Sequence, residues 1–392
     1  MLSCRTILTL WSAALIALCS VRMQAQPSSK SALPDVRLEN ARFLLDGRVF
    51  LVRGIHYGPW RPRTGPNKHY PYPSVQDIGA DFEIIRETGA NTVLIYDAPP
   101  EVLDLAQQKH LKVVYVFALD WYSVGGPDQQ AITARIADRV RQLHGKPALL
   151  AYLLGNEVPA HALQSRGDGP IVAGLRNLYT GIKAVDAAHP VSHANWPPAR
   201  HLDLGFLDFI SFNVYPLWPP EVVAMGYRRY IETVLRPIAG GKPLLISEFG
   251  ANTIEAGEEG QARLLRDSWD GLLRAGAAGG IVFEFADEWW KNYDNPARPG
   301  DWWTRVPAPD DELRPDDDPE ETYGILKADR ARKPAFAAVA AMFAEHTSRE
   351  TARTFGTAAL STMVIVAAGA WFWARRRHAG RMARPGSDPS RS

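Results

Sequence analysis

Short runs rich in β-branched and apolar residues alternate along this chain with longer stretches whose apolar positions recur at helical spacing. Eight runs stand out: Phe50 to His56, Thr92 to Asp97, Val113 to Leu119, Leu149 to Leu154, Pro190 to Ala194, Phe209 to Tyr215, Pro243 to Glu248 and Gly280 to Phe285. Amphipathic stretches lie between them, Ile132 to His144 and Gln261 to Ala275 among them. That alternation predicts βα units around a parallel sheet. Leu149 to Leu154 and Pro243 to Ile246 are apolar throughout, as strands covered on both faces need to be. Eight units predict an α/β fold closed into a (β/α)8 TIM barrel. Ahead of them, Phe43-Leu-Leu-Asp-Gly-Arg-Val-Phe-Leu carries an Asp46-Gly47 hairpin signal, read as a small lid over the barrel bottom. Asn292 to Thr322, rich in Pro and Asp, reads as a long surface loop, and Pro334 to Glu345 as a closing helix.

The two ends are apolar in a different way. Ile7 to Cys19 follows one early positive charge and precedes small and polar residues, the order of a secretory signal peptide over residues 1–25, with cleavage near Ala25. Met23 makes that cleavage site a poor one, so an uncleaved N-terminal anchor is the alternative reading; a lipoprotein site at Cys19 fits less well behind Leu18. Phe355 to Ala374 carries no charge and at about 1.5 Å per residue spans roughly 30 Å, enough for one C-terminal transmembrane helix. Five arginines follow it, from Arg375 to Arg384, with Trp371 and Trp373 at the same end. The positive-inside rule then makes residues 375–392 a basic cytoplasmic tail. The expected organisation is a signal segment, a barrel domain over 26–346 facing outward, and a single-pass anchor in the cell membrane.

Composition changes this picture only by exclusion. The 392 residues are 46% hydrophobic and 22% charged, with 44 basic against 43 acidic side chains, which offers no polyelectrolyte surface for nucleic acid. Both cysteines lie in the signal segment, so a processed chain contains neither a disulfide nor a cysteine nucleophile. No cofactor or metal is expected: His56, Asp97 and Asp120 lack any H-x-x-x-H type spacing.

Polar residues gather at the C-terminal ends of the predicted strands, where such barrels build their sites. Glu157 follows Leu153-Leu154-Gly155-Asn156 at the end of the fourth run, and Glu248 follows Leu245-Ile246-Ser247 at the end of the seventh. Strands four and seven stand on opposite walls of an eight-stranded barrel, so the two carboxyl groups can meet across its mouth. Two converging carboxyl groups are what cleavage of a glycosidic bond requires, one as proton donor and one facing the oxocarbenium-like centre.

The motifs Gly155-Asn156-Glu157 and Ser247-Glu248-Phe249-Gly250 resemble clan A of the glycoside hydrolases. Val52 to Tyr57, Asn91 to Tyr96 and Gly279 to Glu284 are most similar to family 72 β-1,3-glucanosyltransferases, and Phe285-Ala-Asp-Glu-Trp-Trp290 to family 2 β-glycosidases. The resemblance covers roughly residues 40 to 345. It implies Glu157 as acid/base and Glu248 as nucleophile of a retaining hydrolase or transglycosylase. It further implies that Asn156 bonds the sugar 2-hydroxyl, that Arg53 holds Glu248 ionised, and that Tyr215 donates to the same carboxylate. Arg53 as a rim ion pair and Tyr215 as a packed aromatic stay open beside those roles. His56 and His193 are subsite donors or satisfied core histidines; Asn213, Glu284 and Trp289 complete the expected substrate-binding set.

Tryptophans follow several strand ends, Trp60, Trp121, Trp196, Trp218, Trp289 and Trp290, together with Tyr122. Such a rim suits the C–H faces of an oligo- or polysaccharide, and the resemblance to family 72 implies β-glucan as the substrate. Trp302 and Trp303 in the acidic loop are hard to read as core and extend a subsite in the same reading. The alternative from another class is a catalytically inactive, membrane-anchored carbohydrate-binding protein on the same barrel.

Overall fold

The computed structural model describes residues 33–59, 72–216, 218–288 and 319–345. The expected signal segment, the membrane span at 355–374 and the basic tail lie outside the described residues, as do Trp60, Trp289, Trp290, Trp302, Trp303 and most of the acidic loop. Among the described residues no helix is long and apolar enough to cross a membrane.

Three short strands come first, β1 (Val36–Glu39), β2 (Arg42–Leu45) and β3 (Arg48–Phe50), paired antiparallel in that order. Asp46 and Gly47 turn the last hairpin with φ of 51° and 74°, the left-handed pair that a two-residue type I′ loop needs. Then β4 (Val52–His56), α1 (Val75–Glu87), β5 (Thr92–Tyr96), α2 (Pro100–Gln108), β6 (Lys112–Phe117), α3 (Gln129–Leu143), β7 (Leu149–Asn156), α4 (Ala160–Arg166), α5 (Asp168–Val185) and β8 (Val191–Asn195) follow. After them come β9 (Ile210–Asn213), α6 (Val223–Tyr230), the short α7 (Arg236–Ala239), β10 (Leu244–Phe249), α8 (Thr253–Arg274, broken at Gly257), β11 (Gly279–Val282) and α9 (334–345). Strands β4 to β11 pair in parallel and close on themselves, β11 returning to β4. All eight predicted runs therefore form the barrel wall, most within two residues of their expected bounds.

Local chemistry starts and stops the helices. The Ser74 hydroxyl caps α1 by accepting from the Asp77 amide, and Asn252 and Glu255 cap α8 reciprocally, side chain to amide and amide to carboxylate. Pairing alternate side chains to opposite faces then gives two apolar layers. Val52, Leu94, Val116, Leu153, Leu245 and Ile281 belong to the cluster that fills the barrel, into which β2 sends Phe43, edge-on to Phe209 at 5.1 Å. The hairpin thus contributes a side chain to the barrel interior, as the expected lid should. Ile55, Val93, Tyr152, Phe212 and Ile246 belong to the larger cluster shared with the helices.

Candidate active site

Both glutamates of the expected pair follow irregularities in their strands. Between β7 and β8 the register slips between Leu153 and Asn156, at Gly155, which has φ +71° and so little room that a Cβ there would stand 2.8 Å from Leu119. Glycine is needed on both counts. Glu157 follows with φ 36°, a conformation uncommon outside glycine, held by its amide bond to the Ala194 carbonyl at 2.8 Å. Between β10 and β9 the register slips between Ile246 and Glu248, so that Glu248 is paired with Asn213. A bulge re-aims the side chains that follow it, and here two of them turn carboxylates toward the same mouth.

Asn213 joins the two walls. Ser247 Oγ donates to its Oδ1 at 2.8 Å, and its Nδ2 donates to Asn156 Oδ1 at 2.8 Å and to Glu157 Oε1 at 2.9 Å. On the other side Tyr215 Oη donates to Glu248 Oε2 at 2.8 Å. Burial holds the Tyr215 phenol well above its usual range, helped by the charges on Glu248, Glu320 and Glu157, so it remains a proton donor. Burial also raises the Glu157 carboxyl above the ordinary glutamate range, partly opposed by the hydrogen bond from Asn213. Glu248 is itself only 5% exposed. A carboxyl raised by burial on one wall and a carboxylate bonded by a phenol on the other match the division of labour that glycoside cleavage needs.

Two expected site residues stand elsewhere. Arg53 shares its register with Gly280, whose open side faces Leu272 of α8, while the next pair, Gly54 and Ile281, faces the interior. Arg53 is consequently on the outer side of β4, its Nε donating to the Gly89 carbonyl at 3.2 Å rather than approaching Glu248. His193 likewise alternates with the inward Ala194, is 1% exposed, and puts Nδ1 2.6 Å from the Leu154 carbonyl, with Trp121 edge-on at 5.7 Å. Burial pushes its pKa down to about 4, so the neutral ring donates to that carbonyl. It braces the strand just before Gly155 and is no subsite donor. His56 and Glu284 do come together, Nδ1 3.6 Å from Oε2, with the imidazole stacked on Phe283 at 5.0 Å. Both are buried, as Glu248 is. Trp289 lies outside the described residues.

Sequence reasoning missed Ser247 as a functional residue and had no signal for Tyr323. Tyr323 packs on Tyr215 and Phe283 at 5.4 and 5.3 Å. Among the described residues no group of three His, Cys, Asp or Glu is placed to hold a metal ion.

Solved structures with the same architecture include a family 2 β-galacturonidase from Eisenbergiella tayi, with TM-score 0.60 and 21% identity over 79% of this chain and 54% of that one. A β-glucuronidase from Ruminococcus gnavus matches with TM-score 0.60 and 17% identity over 79% and 52%. The barrel is common to all three. This chain spans just over half the length of those enzymes. No protein-family profile matches the sequence, and no curated protein does. At the level of fold these neighbours agree with the (β/α)8 barrel expected from the sequence.

Proposed function

We propose that this chain is a retaining glycoside hydrolase or transglycosylase that cleaves β-glycosidic bonds of an oligo- or polysaccharide outside the cytoplasmic membrane. The observation that carries the reading is the Asn213 bridge: it ties a carboxyl raised by burial on the β7 wall to the strand that bears Glu248 under Tyr215. Glu248 attacks the anomeric carbon while Glu157 gives its proton to the departing glycosidic oxygen, leaving a glycosyl-enzyme ester. Water or a sugar hydroxyl then attacks that carbon, Glu157 takes up its proton, and Glu248 leaves as the carboxylate. With its Oδ1 engaged by Asn213, Asn156 presents its amide as a donor toward the sugar 2-oxygen.

The resemblance to family 72 makes laminari-oligosaccharides the first substrate, and the solved neighbours add β-glucuronides and β-galacturonides to the panel. The signal and anchor read from the sequence support placing the reaction on the outer side of the membrane. The test is turnover across that panel with the anomeric configuration of the first-formed product read by NMR. Retention is the expected result, and Glu248→Gln should lower kcat by several orders of magnitude. Inversion, or turnover that survives Glu248→Gln, overturns the assignment; so does a complete lack of turnover, which leaves the sugar-binding scaffold.

A further inference from the structure

The connection between β6 and α3 carries an exposed ring on a fixed backbone. Trp121 lies against the backbone of Gly155, within 3.1 Å of where a Cβ would be. The next residue, Tyr122, is 65% exposed, its ring stacked on His161 with centroids 5.2 Å apart and planes 26° from parallel. His161 stands on the first turn of α4, four positions beyond Glu157. A lone exposed aromatic is ordinary on a protein surface. This one is not loosely held. Asp120 accepts from the Tyr122 amide at 2.9 Å and from Ser123 Oγ at 2.6 Å, the Arg166 guanidinium donates to the Tyr122 carbonyl, and Val124 is fully buried just beyond. The loop spends its hydrogen bonds on presenting a ring, and a preorganised aromatic costs little further entropy when it binds.

Chemistry says what would lie on it. The acid/base must reach the glycosidic oxygen, so in the glycosidase reading the departing sugar lies on the side of the mouth that carries Glu157, whose strand β7 stands between β6 and β8. Tyr122 follows β6 and His161 follows β7. A pyranose buries the C–H face of its ring against an aromatic plane. Resting on the glycosidase reading above, we propose that Tyr122, backed by His161, is a stacking platform for the sugar on the leaving-group side, and for the acceptor sugar when transfer competes with water. The substrate class that follows is an oligosaccharide with at least one sugar beyond the scissile bond.

The experiment compares two donors bearing the sugar that the full-length protein turns over: the β-glycosyl fluoride, which has no leaving sugar, and the β-linked disaccharide. For Tyr122→Ala the ratio of kcat/KM for the disaccharide to that for the fluoride should fall about tenfold, mainly through KM, as loss of one stacking contact implies. With the fluoride as donor and a methyl β-glycoside as acceptor, the fraction of transfer product should fall in the same variant. Tyr122→Trp, which keeps an aromatic face, should restore both ratios. If Tyr122→Ala leaves the two ratios where they are, the platform is refuted while the glycosidase reading stands. If the wild type releases no fluoride from any donor of the panel, the glycosidase reading fails and takes the platform with it.

Discussion

The amide of Asn213 has a fixed sense. Its Oδ1 accepts from Ser247 and its Nδ2 donates to Asn156 and Glu157. A donor on a carboxylate favours the ionised form, and Asn213 thus opposes the burial that raises Glu157. Asn213→Ala removes the lowering influence and leaves the raising one, so the Glu157 carboxyl rises further. A general acid works while protonated. The alkaline limb of the kcat profile should therefore move to higher pH in this variant, as kcat falls about 10- to 100-fold from lost orientation. A limb that moves to lower pH, or does not move, would contradict the bridge. Asn213 and Tyr215 were legible in the sequence because polar residues at the ends of apolar runs stand out. Arg53 and His193 were misplaced because their direction depends on parity: counting by twos from Val52 turns Arg53 outward, and counting from Ala194 does the same to His193. Ser247 was hidden because its partner Asn213 is brought to it only when β9 and β10 pair.

Strand β7 carries Glu157 at one end and is tied to α5 near the other. Tyr152 Oη donates to Asp186 Oδ2 at 2.9 Å, and His189 Nδ1 lies 2.7 Å from the same oxygen. Burial raises the Asp186 carboxyl, but the His189 and Tyr152 contacts outweigh it and bring the pKa down to about 2. A carboxyl lower in the folded than in the unfolded chain contributes stability that is present above the unfolded value and lost as pH falls through the folded one. Asp186→Asn should accordingly lower Tm by several degrees above about pH 4. The gap between variant and wild type should narrow as the pH drops toward about 2. A gap that stays constant with pH would assign the loss to packing and not to charge. At this scale the sequence was most informative, since strand and helix periods differ and capping residues such as Ser74 and Asn252 sit just ahead of their helices. What it left out were the slips within strands, because an apolar run looks the same whether or not one residue is skipped.

Beyond residue 318 the chain packs again on the segment that follows β11. Asp287 and Ile325 exchange backbone bonds with Leu326 and Glu284, and Lys333 Nζ stands 2.6 Å from Asp287 Oδ1, both side chains almost wholly buried. Lys333 also donates to the Thr322 carbonyl at 3.2 Å, and α9 follows, its Phe343 edge-on to Trp269 of α8 at 5.0 Å. The clasp therefore anchors the same segment that brings Tyr323 against Tyr215, so its loss should be felt at the site as well as in stability. Nothing local in the sequence pairs Lys333 with Asp287, because the partners are far apart in the chain and the contact exists only once the barrel has closed. Burial already lifts the Asp287 pKa to about 7 against the pull of Lys333, so removing the lysine leaves a carboxyl without its partner in a dry place, at up to about 3 to 5 kcal/mol, whereas replacing both with apolar groups is often neutral. Lys333→Met should lose that amount in denaturant unfolding and raise KM, while Lys333→Met combined with Asp287→Leu should recover most of the stability. If the double variant unfolds as readily as the single one, the pair is only part of a larger packing unit. If the single variant is as stable as the wild type, the clasp does not hold the segment at all.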